Sequence, residues 1–432
     1  MISITATGDS FITRRLPNNN DAVQQLRELI GSADVRFTNL ETVLRHDEGF
    51  PSAQSGGTWA SSPPEVLNDL REYGFNTLAW ANNHTLDYSY GGLLATKNYI
   101  EQLDFIHAGV GRNLAEASAV KYLECAGGRV AIIAGTATFH ESWSAGEQRP
   151  DVVGRPGVNP LRFQKIYKVS AEQLQHLKSV AAKTGINAEH DLRVKEGFAA
   201  PDDKSTFRFG TQFFQLATDG KTGEISIPNG RDLRRFSKGI EEARRSADLV
   251  IVSIHAHEMQ DGRKELPANF LTEFARNCID KGAHSVIGHG PHILRGIEIY
   301  RNRPIFYSLG NFIFQNDTVA HLPADFYEKQ GLGSEHNVID ALENRSDGGK
   351  RGLGVNPDVW RSVVARWEME KGELRQLELF PIDLGFNEPV YQRGWPRMTD
   401  DISALENLRD LSAAFGTEIV IENNVGKVLL PG

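Results

Sequence analysis

The sequence predicts an α/β fold. Three observations point to it. Short β-branched runs alternate with amphipathic stretches through the first third of the chain, the strand runs are nearly continuously apolar, and the same rhythm returns after residue 230. Continuous apolar runs of strand length suit a largely parallel sheet covered on both faces.

The elements follow in order. Met1 to Thr7 reads as a strand ending at Gly8-Asp9. Asp21 to Ile30 has helical spacing in Val23, Leu26 and Ile30, with Asp21 as its N-cap. Val35 to Asn39 is a second strand, and Gly56 to Ser62 a polar, glycine-rich loop. Pro63-Pro64 opens a helix through Val66, Leu67 and Leu70 that stops at Gly74. Thr77 to Trp80 is a strand running into Asn82-Asn83-His84, and Gly91 to Leu103 a helix. Further strands are expected at Phe105–Ala108, Val120–Leu123 and Val130–Ala134.

Residues 145–230 break this rhythm with proline, glycine and asparagine turns, yet hold a helix near Ser170–Thr184 and apolar material in Phe207, Phe209, Phe213 and Phe214. They read as an inserted α+β subregion. The pattern resumes with helix Arg231–Ala247, strand Asp248–Ile254, helix Ala268–Lys281, strand His284–Ile287 and hairpin Ile297–Phe306. Residues 316–356, rich in Gly, Asn, Asp and His, read as a long lid loop. A hairpin over Val359–Leu379 and a helix near Ile402–Ala413 make up a C-terminal extension. One domain spanning 1–315, interrupted at about 145–230 and followed by a lid and extension at 316–432, accounts for the whole chain.

Composition excludes several function classes. The chain has 432 residues, 13 His, 2 Cys and a formal net charge of −9. Two cysteines make neither a disulfide framework nor a thiolate zinc site. Dispersed Lys and Arg on an acidic chain offer no stripe for nucleic acid. No run approaches the ~18 apolar residues of a membrane span. The first residues read directly into a strand rather than a signal peptide, so a cytoplasmic location is expected. The partner expected is therefore a small-molecule or peptide substrate.

Five segments put a metal-type or acid/base side chain just after an apolar run. They are Gly8-Asp9, Asn39-Leu40-Glu41, Asn82-Asn83-His84, His255-Ala256-His257-Glu258 and Gly288-His289-Gly290-Pro291-His292. Taken singly, Gly8-Asp9 and Asn82-Asn83-His84 are ordinary turn signals, and Asn39-Leu40-Glu41 says almost nothing. In an open α/β sheet, sites form beyond the carboxyl ends of strands, so these ends are expected to converge. Carboxylate, amide oxygen and imidazole together suit Mn²⁺, Fe²⁺ or Zn²⁺, and a carboxylate such as Glu41 is suited to bridge two ions. Arg15, Trp59 and Arg295 lie near these motifs and are candidates to bind substrate.

The order of these segments, with Ala81–Asp87, Gly109 to Asn113 and Tyr307–Phe312, resembles the CapA family of capsule (poly-γ-glutamate) synthesis proteins, a branch of the calcineurin-like metallophosphoesterases. The resemblance covers about residues 1–135 and 240–315. It implies a calcineurin-like αββα sandwich. It also implies that Asp9 and His292 serve one metal, that Asn83, His255 and His289 serve a second, and that Glu41 bridges them. His84 would protonate the leaving group or steady the oxyanion, with Asp87 orienting it. One departure stands out: the superfamily's Asp-x-His is here Asp9-Ser10-Phe11. Phenylalanine cannot ligate, so His257 or water would have to fill that position. The function expected is a metal-dependent hydrolase acting on a phosphoester or related small or peptide substrate, with one or two Mn, Fe or Zn ions. Two alternatives stay open. One is a metal-independent peptide epimerase using Asp9 and His84 as an acid–base pair. The other is a non-catalytic accessory protein of polyglutamate or capsule synthesis.

Overall fold

The computed structural model describes residues 1–17 and 21–430 and is a mixed α/β structure. The Asp21 side chain, expected as a helix cap, lies outside the described residues. The elements that build the core are β1 (Ile2–Phe11), α1 (Asp21–Gly31), β2 (Val35–Leu40), α2 (Val66–Glu72), β3 (Thr77–Ala79), α3 (Ser89–Gln102), β4 (Ile106–Ala108), β5 (Lys121–Cys125) and β6 (Gly128–Thr136). After the insertion come α4 (Gly230–Ala243), β7 (Leu249–His255), α5 (Asn269–Lys281), β8 (Ser285–His289), β9 (Leu294–Tyr300), β10 (Arg303–Leu309), β11 (Asn311–Phe314), β12 (Arg361–Glu370), β13 (Glu373–Asp383) and α6 (Ser403–Ala413).

Two sheets form. In the first, β1 to β4 run parallel, and β12 and β13 continue antiparallel beyond β1. In the second the order is β9-β10-β8-β7-β6-β5, with β6, β7, β8 and β10 parallel. The inner faces share one core: Ile4, Ala6 and Phe37 of the first sheet pack with Ile132, Leu249 and Ile287 of the second. Leu26, Leu67, Leu70 and Leu93 bring α1 to α3 onto the outer face of one sheet. Phe236, Ile240, Phe270 and Phe274 bring α4 and α5 onto the outer face of the other. Buried on both sides, the strands need no polar alternation.

β1 runs past its expected end at Thr7 because its last residues gain a partner from far along the chain. Asp9, Ser10 and Phe11 pair with β11. Gly8 permits this approach, since a Cβ there would lie 2.0 Å from the Gly310 carbonyl oxygen. The C-terminal hairpin is likewise more than an extension. β12 pairs with β1 from Ile2–Met369 to Ala6–Ala365, so it is an interior strand of the first sheet. Its turn, Lys371-Gly372, has φ of 54° and 79°, the left-handed pair that a two-residue hairpin favours.

The insertion forms its own four-stranded sheet from Phe163–Val169, Phe207–Phe209, Gln212–Leu216 and Gly223–Pro228. Its helix Ala171–Thr184 starts on a capping box between Ser170 and Gln173. The subregion leans on the second helical layer, where Phe163 stacks on Phe270 at 4.2 Å. No described helix is long and apolar enough to cross a membrane.

Candidate metal centre and its cavity

The carboxyl ends of β1, β2, β3, β7 and β8 meet at one edge of the sandwich. In register, Asp9 lies beside Asn39, and His255 beside His289. Glu41 follows β2 directly, and the turn after β3 carries Asn83 and His84. His257 lies two residues beyond β7. His292 follows β8 in a left-handed conformation, φ 60°. This is a strained geometry for a non-glycine residue, and the Asn311 bond to its ring helps hold it.

Two groups of donors result. Ligand atoms of Asp9, His255 and His289 lie within 4.8 Å of one another, and so do those of Glu41, His257 and His292. Asp9 thus sits with the two imidazoles that the resemblance assigns to the other ion. The groups still touch: Glu41 Oε1 is 3.6 Å from His255 Nε2, and Asp9 Oδ2 is 3.8 Å from His292 Nδ1. His257 stands beside Glu41 and His292. Phe11, on the same strand face as Asp9, instead meets the His84 ring edge-on at 5.1 Å.

Polar neighbours set the donor orientations. Asn82 donates to Asn39 Oδ1, so Asn39 turns its amide N–H to Asp9 Oδ1 at 2.7 Å. The Gly290 N–H holds Asp9 Oδ2 at 3.0 Å. His292 Nδ1 meets Asn311 Oδ1 at 2.9 Å, and Asn311 Nδ2 donates to the His292 and Val359 carbonyls. His292 Nδ1 therefore carries the proton and its Nε2 keeps a lone pair. His289 Nε2 meets Ser253 Oγ at 3.1 Å. His84 Nδ1 meets Asp87 Oδ2 at 2.7 Å, and Asp87 is held by the Gly56 and Ala60 N–H groups. Asn39 and Asn311 lie inside segments quoted from the sequence, Asn39-Leu40-Glu41 and Tyr307–Phe312, but neither side chain was given a role there, and Ser253 left no signal.

Four polar atoms at the centre are buried with no hydrogen-bond partner among the described residues: both Glu41 carboxylate oxygens, Asn83 Oδ1 and His289 Nδ1. Burial pushes the Asp9 carboxyl up to about 7, against the pull of Asn39, Gly290 and His84. Burial, with the charges of Asp9 and Asp87, holds Glu41 well above the carboxylate range. Burial holds His289 and His292 down at about 3, and His255 and His257 well below the usual imidazole value. Neutral imidazoles, two of them meeting through His255 Nε2 and His257 Nε2 at 3.0 Å, around a Glu41 carboxyl that no donor meets make a donor set that a divalent cation takes. The residues present fit such an ion.

Above the centre lies a cavity of about 1390 Å³, with Phe11, His84, His257 and His292 on its floor. Its walls come mainly from residues 316–355. That segment contains helices Ala324–Lys329 and Val338–Ser346. It docks through Phe326 against Trp59, and through Arg345, which donates to Thr58 Oγ1 at 2.6 Å. The insertion lines none of the cavity, because it packs on the far helical layer.

The expected substrate-binding residues lie elsewhere. Arg15 forms a two-point pair with Asp69 at 2.7 and 2.9 Å. Trp59 is buried under the lid and donates to the Ser52 carbonyl. Arg295 is fully buried, and its guanidinium donates to the carbonyls of Lys264, Ala256, His257 and Glu258. It braces the loop that carries His257. The cavity's cations are instead Lys264, Arg345, Arg351 and Arg393. No motif in the sequence marks them.

Comparison with known proteins agrees with this motif order. The family described as "Bacterial capsule synthesis protein PGA_cap" matches residues 3–316. An uncharacterized protein, y4sH, of Sinorhizobium fredii (strain NBRC 101917 / NGR234) is 36% identical over 443 residues, spanning 99% of this chain and 93% of that protein. The capsule biosynthesis protein CapA of Bacillus anthracis is 24% identical over 320 residues, spanning 72% of this chain and 60% of that protein. A solved structure of a hypothetical protein from Thermus thermophilus aligns with a TM-score of 0.42 at 11% identity, over 88% of this chain and 99% of that one. On the extent of the family match, the chain belongs to the bacterial capsule synthesis (PGA_cap) family.

Proposed function

We propose that this protein is a metal-dependent hydrolase of the metallophosphoesterase type, on a calcineurin-like αββα sandwich, with a role tied to capsule synthesis. The carrying observation is Glu41. Its two carboxylate oxygens are buried without a hydrogen-bond donor, within reach of His84, His255 and His292. Such a group is stabilised by a bound cation far better than by an apolar wall. The family and the capsule protein of Bacillus anthracis support the biological setting.

Asp9, Glu41, Asn83, His255, His257, His289 and His292 would hold one or two Mn, Fe or Zn ions. When bound, such an ion supplies Lewis acidity toward water and toward a developing oxyanion. The chain does the rest. Asn39 and Gly290 keep Asp9 in one orientation. Asp87 takes the Nδ1–H of His84 and steadies its imidazolium form, whose Nε2–H on the cavity side would pass to the leaving oxygen. The lid segment limits the water that reaches the substrate. Elemental analysis of protein purified without chelators, paired with turnover of a phosphoester panel by wild type and His84→Ala, tests the reading. Metal-free protein with full turnover overturns it.

A second reading has one observation of its own. Asp9 is pushed up to about 7, the range in which a side chain both takes and gives a proton. Paired with His84 it would invert a peptide Cα, one group removing the proton and the other returning it on the opposite face. Deuterium appearing at Cα in D₂O favours this reading; its absence across a peptide panel removes it.

A further inference from the structure

Lys264 lines the same cavity as the donor residues His257 and His292, close enough for its charge to act on both. It lies on the strand Arg263–Pro267, half-buried. Among the described residues no carboxylate or other acceptor pairs with its ammonium. The three arginines that share the cavity wall each give at least one N–H to the protein. Arg345 donates to Thr58, Arg351 to the Arg345 carbonyl, and Arg393 to Asp317. Lys264 is thus the cation of this wall with its hydrogen-bonding capacity intact.

Its position is also built. The Lys264 carbonyl accepts from Arg295 Nε at 2.9 Å, and the same guanidinium holds the carbonyls of Ala256, His257 and Glu258. Arg295 therefore ties the Lys264 strand and the His257 loop into one unit, so the backbone from which the ammonium extends is fixed relative to the donor cluster. Burial and the Arg295 charge push Lys264 down to about 8, which marks an ammonium without a compensating anion. The rest of the wall is partly apolar, with Val319, Leu342, Leu353 and Val355 contributed by the lid segment.

We infer that Lys264 is a specificity-determining residue: it takes a fixed anionic group of the substrate, carboxylate or phosphate, away from the reacting bond, while an apolar part lies against residues 319–355. The inference rests on the cavity being the substrate site of the hydrolase reading. A phosphate alone would leave most of about 1390 Å³ unfilled, so the substrate is a larger, amphipathic anion.

The test is competitive labelling of the chelator-treated full chain with trinitrobenzenesulfonate at pH 8, read by peptide mass. Labelling of Lys264 should slow by about tenfold or more as inorganic phosphate or glutarate approaches saturation, by mass action. Exposed Lys178 should be unaffected. Protection by phosphate only identifies a phosphate group, and protection by glutarate only a carboxylate. Protection by neither overturns the inference. Calorimetric binding of the protecting anion should be lost in Lys264→Met and kept in Lys264→Arg; equal binding by Lys264→Met also overturns it. The labelling uses no metal and no turnover. If metal uptake and His84-dependent turnover are absent, the hydrolase reading fails while protection still stands. If turnover depends on His84 but no anion protects, only the present inference falls.

Discussion

His84 Nδ1 and Asp87 Oδ2 lie 2.7 Å apart, and this contact decides which imidazole nitrogen faces the cavity. With the proton of Nδ1 given to Asp87, Nε2 is the nitrogen that meets a substrate. His84→Ala should lower turnover by about 10²–10⁴-fold and leave metal content unchanged. Asp87→Asn should also lower turnover with metal content unchanged, because an amide can turn its NH₂ to Nδ1 and impose the other tautomer. Steady-state kinetics with elemental analysis checks both.

Glu41 is a buried carboxyl that no donor meets. Glu41→Gln should therefore have opposite effects in two states. With metal, uptake falls. After chelation, wild type should lose stability relative to the variant as pH rises, since the amide never ionises beside Asp9 and Asp87. Urea midpoints with and without chelator decide it.

The centre also makes stability depend on pH. His289 is held at about 3 by burial alone, against 6.5 for a free imidazole. The folded state favours its neutral form, so this contribution is complete above pH 6.5 and is lost as pH falls toward 3. Asp9, raised to about 7, has the opposite sense: its contribution is present below 3.8 and lost as pH rises through 7. The His289 part is isolated by difference. Between pH 7.5 and pH 5, chelated wild type should lose about 2 kcal/mol relative to His289→Gln. A constant difference between the two would contradict it.

Arg295 holds four backbone carbonyls with one buried guanidinium. Arg295→Met should destabilise the chain by at least about 3 kcal/mol, because charged hydrogen bonds are lost and buried carbonyls are left bare. It should also weaken metal binding through His257. Arg295→Lys should not rescue either effect, since an ammonium has no planar fork to span the set. Thermal denaturation and metal titration provide the readouts.

Phe11 shares a strand face with Asp9, two residues on. Phe11→His should put a further imidazole at the donor cluster and tighten metal binding, measured by competition against a chelator. Unchanged affinity would mean that His257 already completes the set.

The donor residues were legible in the chain because each strand end punctuates itself: an apolar run stops and a polar side chain follows. Asp9, Glu41, Asn83, His84, His255, His289 and His292 all carry that local signature, and the folding of the chain does bring them to one edge. The alternation of strands and helices was legible for the same reason, since periodicity over a few residues reports which face is buried. The sequence was silent wherever meaning depended on distant partners. Asp9 is held by a glycine 281 residues away, and the first strand ends where β11 stops pairing with it. Arg15 and Arg295 look alike in sequence, yet one is paired to Asp69 near the surface and the other is sealed beneath the His257 loop. The grouping of donors into two sets, the seating of β12 inside the first sheet and the exposure of Lys264 to the cavity all arise from contacts between segments far apart in the chain. Such contacts are set by sheet register and burial, and neither exists until the layers have packed.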